Sequence, residues 1–195
     1  MVVGVALALS ACGSATSSST GTRPAAATTS ASGGSQTATA TTTVTRTTTD
    51  SGPPVCRAAA LKLTFLGMQG ATGHGELGFA VHNTSASTCD TFGYPGVQFS
   101  SQSGALLPTV THRTTNDFFG PSPLATIMLT PGATASFRLG VTHGNGSSAG
   151  CTTAYGVRVY PPNDTATLRV SMPGGATECG IATVSPMRPQ TSAYP

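Results

Sequence analysis

Charge is the scarcest property of this chain. Of 195 residues only 9 are Lys or Arg and 6 are Asp or Glu, 8% in all, against about 25% in an ordinary soluble protein. Lysine occurs once, at Lys62, and tryptophan is missing altogether. A net charge of +3 falls short of the basic footprint of a nucleic-acid binder, so no nucleic-acid partner is expected. A phosphate-cradling P-loop is excluded too, because it needs a lysine in a glycine-rich loop, and Lys62 sits between Leu61 and Leu63. No apolar run reaches the roughly 18 residues of a membrane-crossing helix. Nor does any window of about 11 residues repeat its apolar side chains every 3.6 positions, which excludes bundles and coiled coils.

What is abundant is small or turn-forming, with 24 Gly and 14 Pro. The first apolar stretch, Val2 to Leu9, has the length of a signal-peptide core, about 7 to 15 residues, and is too short to span a bilayer. It leads into Leu9-Ser10-Ala11-Cys12, which resembles the lipobox of bacterial lipoproteins. There, small residues let the signal peptidase close on the backbone and the cysteine thiol takes the lipid. Residues 1–11 are therefore read as a signal peptide and Cys12 as the lipidated first residue of the mature chain. Each buried methylene contributes about 0.8 kcal/mol, so two or three acyl chains on one cysteine make a stable anchor. The partner this implies is the membrane, at the outer face of the cytoplasmic membrane within the cell envelope.

Residues 12–54 are read as a linker. From Gly13 to Pro54 there are 42 residues, and 37 of them are Ala, Gly, Pro, Ser or Thr. Such a segment cannot bury enough apolar area to offset its ordering entropy, and disorder is expected. As a flexible coil it spans about 35 Å root-mean-square, and about 140 Å when stretched. Its Thr-rich middle, Thr37 to Thr49, suits O-glycosylation.

Past Pro54 the pattern changes to short segments with a period of two: Leu61, Leu63 and Phe65; Leu77, Phe79 and Val81; Val97 and Phe99; Ala135, Phe137, Leu139 and Val141; Val157 and Val159; Leu168, Val170 and Met172. A period of two places one face in a core and the other in water. Less regular runs at Ala105 to Thr111, Ala125 to Leu129 and Gly180 to Val184 add three candidate strands. Turn signals such as Gly73 to Gly75, Pro131-Gly132, Pro161 to Asp164 and Pro173 to Gly175 punctuate them. Seven to nine antiparallel strands without helices point to an all-β, immunoglobulin-like β-sandwich over residues 55–189, followed by a C-terminal tail, 190–195.

With Cys12 assigned to lipid, Cys56, Cys89, Cys151 and Cys179 remain. An even count in an exported chain reads as two disulfides, and four cysteines allow three connectivities. The local pairing, Cys56 with Cys89 and Cys151 with Cys179, is expected, because each pair then closes a unit of neighbouring strands. A thiolate zinc site is not expected, because no two cysteines stand two to four residues apart.

The order of Cys56, Cys89, Gly93-Tyr94-Pro95-Gly96-Val97, Leu129-Thr130-Pro131-Gly132 leading to Ala135, Phe137 and Leu139, Cys151 before Val157, Val159 and Pro161-Pro162, and finally Cys179 resembles the domain of unknown function family 4232. The resemblance covers roughly residues 56 to 186, and Gly-Tyr-Pro-Gly is its strongest element. It implies an exported protein of actinobacterial type, often behind a lipobox and a Ser/Thr-rich linker, and it brings no catalytic residues. Read on its own residues, Tyr94-Pro95-Gly96-Val97 is expected to be a type II turn with a positive φ at Gly96. Tyr94 is also a candidate ligand contact.

Motifs of chemistry are weak. Gly146-Ser147-Ser148-Ala149-Gly150 fits the nucleophile-elbow pattern, but no helix follows, so a flexible loop is expected there. Gly144-Asn145-Gly146 with Ala149 meets the loose dinucleotide fingerprint without a surrounding βαβ unit. Asn83-Thr84-Ser85, Asn145-Gly146-Ser147 and Asn163-Asp164-Thr165 fit the glycosylation sequon and read as polar turns. The four histidines, His74, His82, His112 and His143, are all more than four residues apart. His82 is expected to point outward, His112 and His143 to fall at strand ends and His74 in a turn. With Met68, Met128 and Met187 as soft partners they make copper or zinc binding in the envelope an alternative function. Among the acids, Glu76 and Asp117 are candidate neighbours in the fold. Phe118 and Phe119 cannot both face one core, so one of them is a candidate partner contact.

The expected function is that of a non-enzymatic binding or scaffolding module without a cofactor, tethered by lipid and engaging an envelope protein, glycan or small molecule. A hydrolase assembled from scattered residues is the second alternative.

Overall fold

Short alternating segments separated by Gly and Pro cannot bury their apolar side chains alone, so they pair into sheets and close two inner faces on each other. The computed structural model describes residues 52–71, 73–118, 120–143 and 150–194. Among them are a 3-10 turn, Ala58–Ala60, and twelve strands: β1 Leu61–Ala71, β2 His74–Asn83, β3 Cys89–Phe92, β4 Gly96–Ser100, β5 Val110–Arg113, β6 Asn116–Asp117, β7 Gly120–Pro121, β8 Thr126–Leu129, β9 Thr134–Thr142, β10 Thr152–Tyr160, β11 Leu168–Glu178 and β12 Ile181–Val184. Each of the nine expected segments contributes a strand. The three further ones are short: β3, which carries a cysteine but no apolar alternation, and the two-residue pair β6 and β7.

Five strands form the larger sheet in the order β1-β2-β9-β12-β5, and three form the smaller in the order β11-β10-β4, while β3 pairs with β8. The fold is an all-β sandwich built mainly of antiparallel pairs. One pair departs from the antiparallel expectation, because β12 and β5 run parallel. Several strands separate them in the chain, so no tight hairpin dictates their direction.

The core is one contiguous cluster. Leu61, Leu63, Leu77, Phe79, Val81, Phe137, Leu139 and Val141 come from the larger sheet, Val97, Phe99, Val157, Val159 and Met172 from the smaller, and Ile127 and Leu129 from β8. The rings of Phe79 and Phe137 stack at 5.1 Å across the β2–β9 register.

Two disulfides staple this core, Cys56–Cys89 and Cys151–Cys179, with sequence separations of 33 and 28. The first ties the entering chain to β3, where the backbone also pairs, Cys56 N–H donating to Asp90 O at 2.8 Å. The second joins the start of β10 to the end of β11. Both imply an oxidising, extracytoplasmic location. No helix among the described residues is long and apolar enough to cross a membrane.

The Gly-Tyr-Pro-Gly segment corrects one expectation. The positive φ lies at Gly93, at 97°, and not at Gly96. Gly96 instead opens β4 opposite Tyr160, where a Cβ would stand 3.3 Å from the Tyr160 Cβ. Close approach to Tyr160 favours glycine at 96, and without a positive φ there the expected type II turn does not form.

Asp164 locks the entrance. Its carboxylate accepts the Ala58 N–H at 2.7 Å and those of Thr165 and Ala166 at 2.7 and 3.1 Å, tying the 3-10 turn to the β10–β11 connection. These donors, Ala58 foremost, hold its carboxyl below the ordinary 3.8. The stabilisation it supplies is complete above that pH and is lost as the pH falls through the lowered folded value; in Asp164→Asn, acid-side unfolding followed by circular dichroism is expected to lose this component. Replacing either cysteine pair by alanine is expected to cost about 3 to 4 kcal/mol, read from the urea midpoint.

Candidate functional site

The outer face of the larger sheet is dry at its centre, over β2 and β9, and exposed along β1 and β5. Alternation sends Glu76, Gly78 and Ala80 of β2 and Ser136, Arg138 and Gly140 of β9 away from the core, yet all are buried. Two pieces of chain cover them. One is the β6–β7 hairpin, and the other is the C-terminal segment running from Ser185 to Tyr194. Ser185 and Arg138 exchange bonds, the Ser185 N–H donating to Arg138 O and the Arg138 N–H to Ser185 Oγ, both at 3.0 Å. Ser136 and Arg188 pair through their backbones at 3.0 and 2.7 Å, and Ala193 is fully buried.

Tyr194 ends the strap. Its hydroxyl accepts the Gly78 N–H at 3.0 Å and donates to Gly67 O at 2.5 Å. These two backbone groups face each other where a β-bulge between Phe65 and Gly67 interrupts the β1–β2 ladder, and the phenol fills the gap. A Cβ on Gly78 would come within 2.8 Å of that ring, so the strap lies flat only over glycine.

Beneath it is an ionic cluster. Arg138 Nε stands 3.1 Å from Glu76 Oε1 and 3.2 Å from Asp117 Oδ2, and the three side chains are 1%, 0% and 2% exposed. Glu76 and Asp117 are thus neighbours, as the sequence suggested, and the unforeseen member is the arginine between them. One arm of the guanidinium also donates to Gly120 O at 2.7 Å. Neither Glu76 oxygen receives an aligned hydrogen bond from the described residues. Burial therefore outweighs Arg138 and pushes the Glu76 carboxyl above its ordinary 4.5, with Asp117 adding to the rise. Sealed from solvent, this cluster admits no substrate and acts as a lock between sheet, hairpin and strap.

The other candidate residues scatter. Phe118 is 51% exposed, its ring stacked on that of His74 at 3.8 Å. Phe119, Cys12 and the Gly146 to Ala149 stretch lie outside the described residues. Tyr94 is half-buried against the core, with the Arg113 guanidinium 5.8 Å from its ring centre. His74 opens β2 rather than sitting in a turn, and His112 lies within β5. His82 is half-buried and its Nδ1 meets Thr134 Oγ1 at 3.0 Å. Among the described residues no three of His, Cys, Asp and Glu come together as a metal would need.

An open site lies on the smaller sheet instead. The inward set Val97, Phe99, Val157, Val159 and Met172 leaves Gln98, Ser100, Gly156, Arg158, Arg169 and Ser171 on the outer face. Register places Arg158 directly opposite Arg169 on one side and Gln98 on the other. The loop after β4 rises beside the two arginines, and with Ser100, Gly156 and Ser171 they wall a groove of about 280 Å³. The groove continues past Tyr155 to Thr152 and Thr153, where a shallower, open depression adjoins it. Sequence reasoning missed both arginines. The alternation marked them as outward, but only the non-local register shows that they face each other.

A family model described as a domain of unknown function, DUF4232, matches residues 56–188. The chain belongs to the DUF4232 family. No curated protein and no solved structure matches it. The DUF4232 span holds both disulfides, the ionic cluster and the groove, and it ends on the strap at Arg188, six residues short of Tyr194.

Replacing Arg138 alone, as Arg138→Met, leaves two carboxylates in a dry site and is expected to cost about 3 to 5 kcal/mol. The triple change Glu76→Gln, Asp117→Asn and Arg138→Met should recover most of that, because no charge then remains buried; urea unfolding of the two variants checks the pair. Because the Glu76 carboxyl is raised, there is a pH interval above about 4.5 in which the folded DUF4232 domain binds this proton more tightly than the unfolded chain does. Its contribution to stability is expected to fall as the pH rises from about 4.5 through the raised folded value. In Glu76→Gln that decline should vanish from the pH profile of the urea midpoint.

Proposed function

We propose that this protein is an exported, lipid-tethered binding module of the cell envelope and not an enzyme. The observation that carries the reading is the groove on the smaller sheet. It is a concavity on a disulfide-stapled scaffold, in which the side chains of Ser100, Ser101, Gln102, Arg158, Arg169 and Ser171 stand among apolar and backbone surface from Leu106, Gly156, Val157 and Val170. A hydroxyl nucleophile needs a base within hydrogen-bond reach, and the lining of this groove includes no His, Cys, Asp or Glu. Such walls recognise a ligand without transforming it. The lipobox-like Leu9-Ser10-Ala11-Cys12 and the 42-residue spacer after it support a tether that presents the domain away from the membrane.

Metabolic labelling with an alkyne fatty acid tests the tether. The wild-type chain should take the label and sediment with membranes, whereas Cys12→Ala should lose the label and appear in the soluble fraction. A wild-type chain that is already soluble and unlabelled counts against the anchor. The binding role is read from a native mass spectrum of full-length protein isolated from its own host. A non-covalent adduct is expected on the wild type and not on Ser171→Trp, in which an exposed rim residue grows into the groove. An adduct that survives Ser171→Trp would place binding elsewhere.

A further inference from the structure

We propose that the groove on the smaller sheet binds a phosphate group between Arg158 and Arg169; the inference rests on the reading of that groove as the binding site. Arg158 of β10 and Arg169 of β11 are direct register partners, and both line the groove. Like charges directly opposite one another on a sheet repel, so this placement is unfavourable unless something negative lies between them. No carboxylate does. The ion pairs among the described residues join Arg57 to Asp164 and Arg138 to Glu76 and Asp117, and no acid lines the groove. Arg158 carries a second unmet demand, because its Nε is buried without a hydrogen-bond partner among the described residues. A buried N–H normally finds an acceptor.

An oxyanion answers both demands at once. A carboxylate has two oxygens, which one guanidinium fork occupies in bidentate pairing. A phosphate has oxygens enough for both forks and for the hydroxyls of Ser100 and Ser171, which flank Gly156 in the same row of the sheet. Both cations are arginine, the side chain whose planar donors match phosphate geometry. The depression beyond Tyr155, lined by Ser101, Ser103, Thr152 and Thr153, has room and hydroxyl partners for a polyol or sugar carrying the phosphate. Free phosphate and a phosphate borne on such a chain share the chemistry at the arginines and differ only at this depression.

The test is calorimetric titration of the full chain with inorganic phosphate, glycerol 3-phosphate and maltotriose. Phosphate-bearing probes should bind the wild type, and Arg158→Gln and Arg169→Gln should each weaken them by about tenfold or more, as expected for loss of a charge-assisted contact. Arg169 is exposed, so its variant reports on binding without disturbing the fold. Arg113→Gln, an exposed arginine outside the groove, should leave affinity unchanged. Tighter binding of glycerol 3-phosphate than of inorganic phosphate assigns a chain-borne phosphate, and equal binding assigns the free ion. The proposal is overturned if neither phosphate probe binds, or if both arginine variants bind them as the wild type does. Binding of maltotriose alone, unaffected by either arginine variant and abolished by Ser171→Trp, would remove the phosphate and leave the groove standing as a binding site.

Discussion

The buried pairing of Arg138 with Glu76 and Asp117 is the constraint on which the larger sheet depends. Desolvating a guanidinium is costly, and the cost is met only when carboxylates and carbonyls close round it. Those partners come from two places, Glu76 from the neighbouring strand and Asp117 and Gly120 from the β6–β7 hairpin, while the backbone of the same arginine pairs with Ser185. The side chain of Arg138 thereby fixes where the hairpin folds down, and its backbone helps to fix where the last segment of the domain lies. Apolar packing alone would hold the sheet to the core without specifying either.

This arrangement makes the two outer faces of the sandwich unlike. Over the centre of the larger sheet, small residues at Gly78, Ala80, Ser136 and Gly140 let a second layer of chain lie close, and that part of the face is closed. Over the smaller sheet no such layer forms among the described residues, and Gln98, Arg158 and Arg169 keep contact with solvent. One face carries the chain that fastens the domain, and the other holds the groove.

Much of the fold was legible in the sequence, and the parts that were not share a cause. Leu77, Phe79 and Val81, and Ala135, Phe137, Leu139 and Val141, announced their core-facing role because alternation is a local signal. The cysteines paired as consecutive partners, which local closure favoured. Arg138 was illegible because a charged residue between Phe137 and Leu139 looks like an outward, wetted position. The available clue was that its companions on that face, Gly78, Ala80 and Gly140, are small and uncharged, which is unusual for a face exposed to water and marks one that something covers. Gly96 misled for a similar reason, since its neighbours Pro95 and Val97 describe a turn while the need for glycine comes from Tyr160, 64 positions away. The opposed Arg158 and Arg169 likewise depend on a register that no short window contains. Local patterning reports which way a residue points, and only pairing between distant segments reports what it meets.

The connectivity of the disulfides bears on how the domain matures. From Cys56 onward each bond joins a cysteine to the next one along the chain, with no interleaving. An oxidant that couples thiols in the order they arrive on the outer side of the membrane therefore yields the native pattern directly. Such a chain has little need of reshuffling by an isomerase, and its oxidation can proceed half by half while the rest of the sandwich is still assembling.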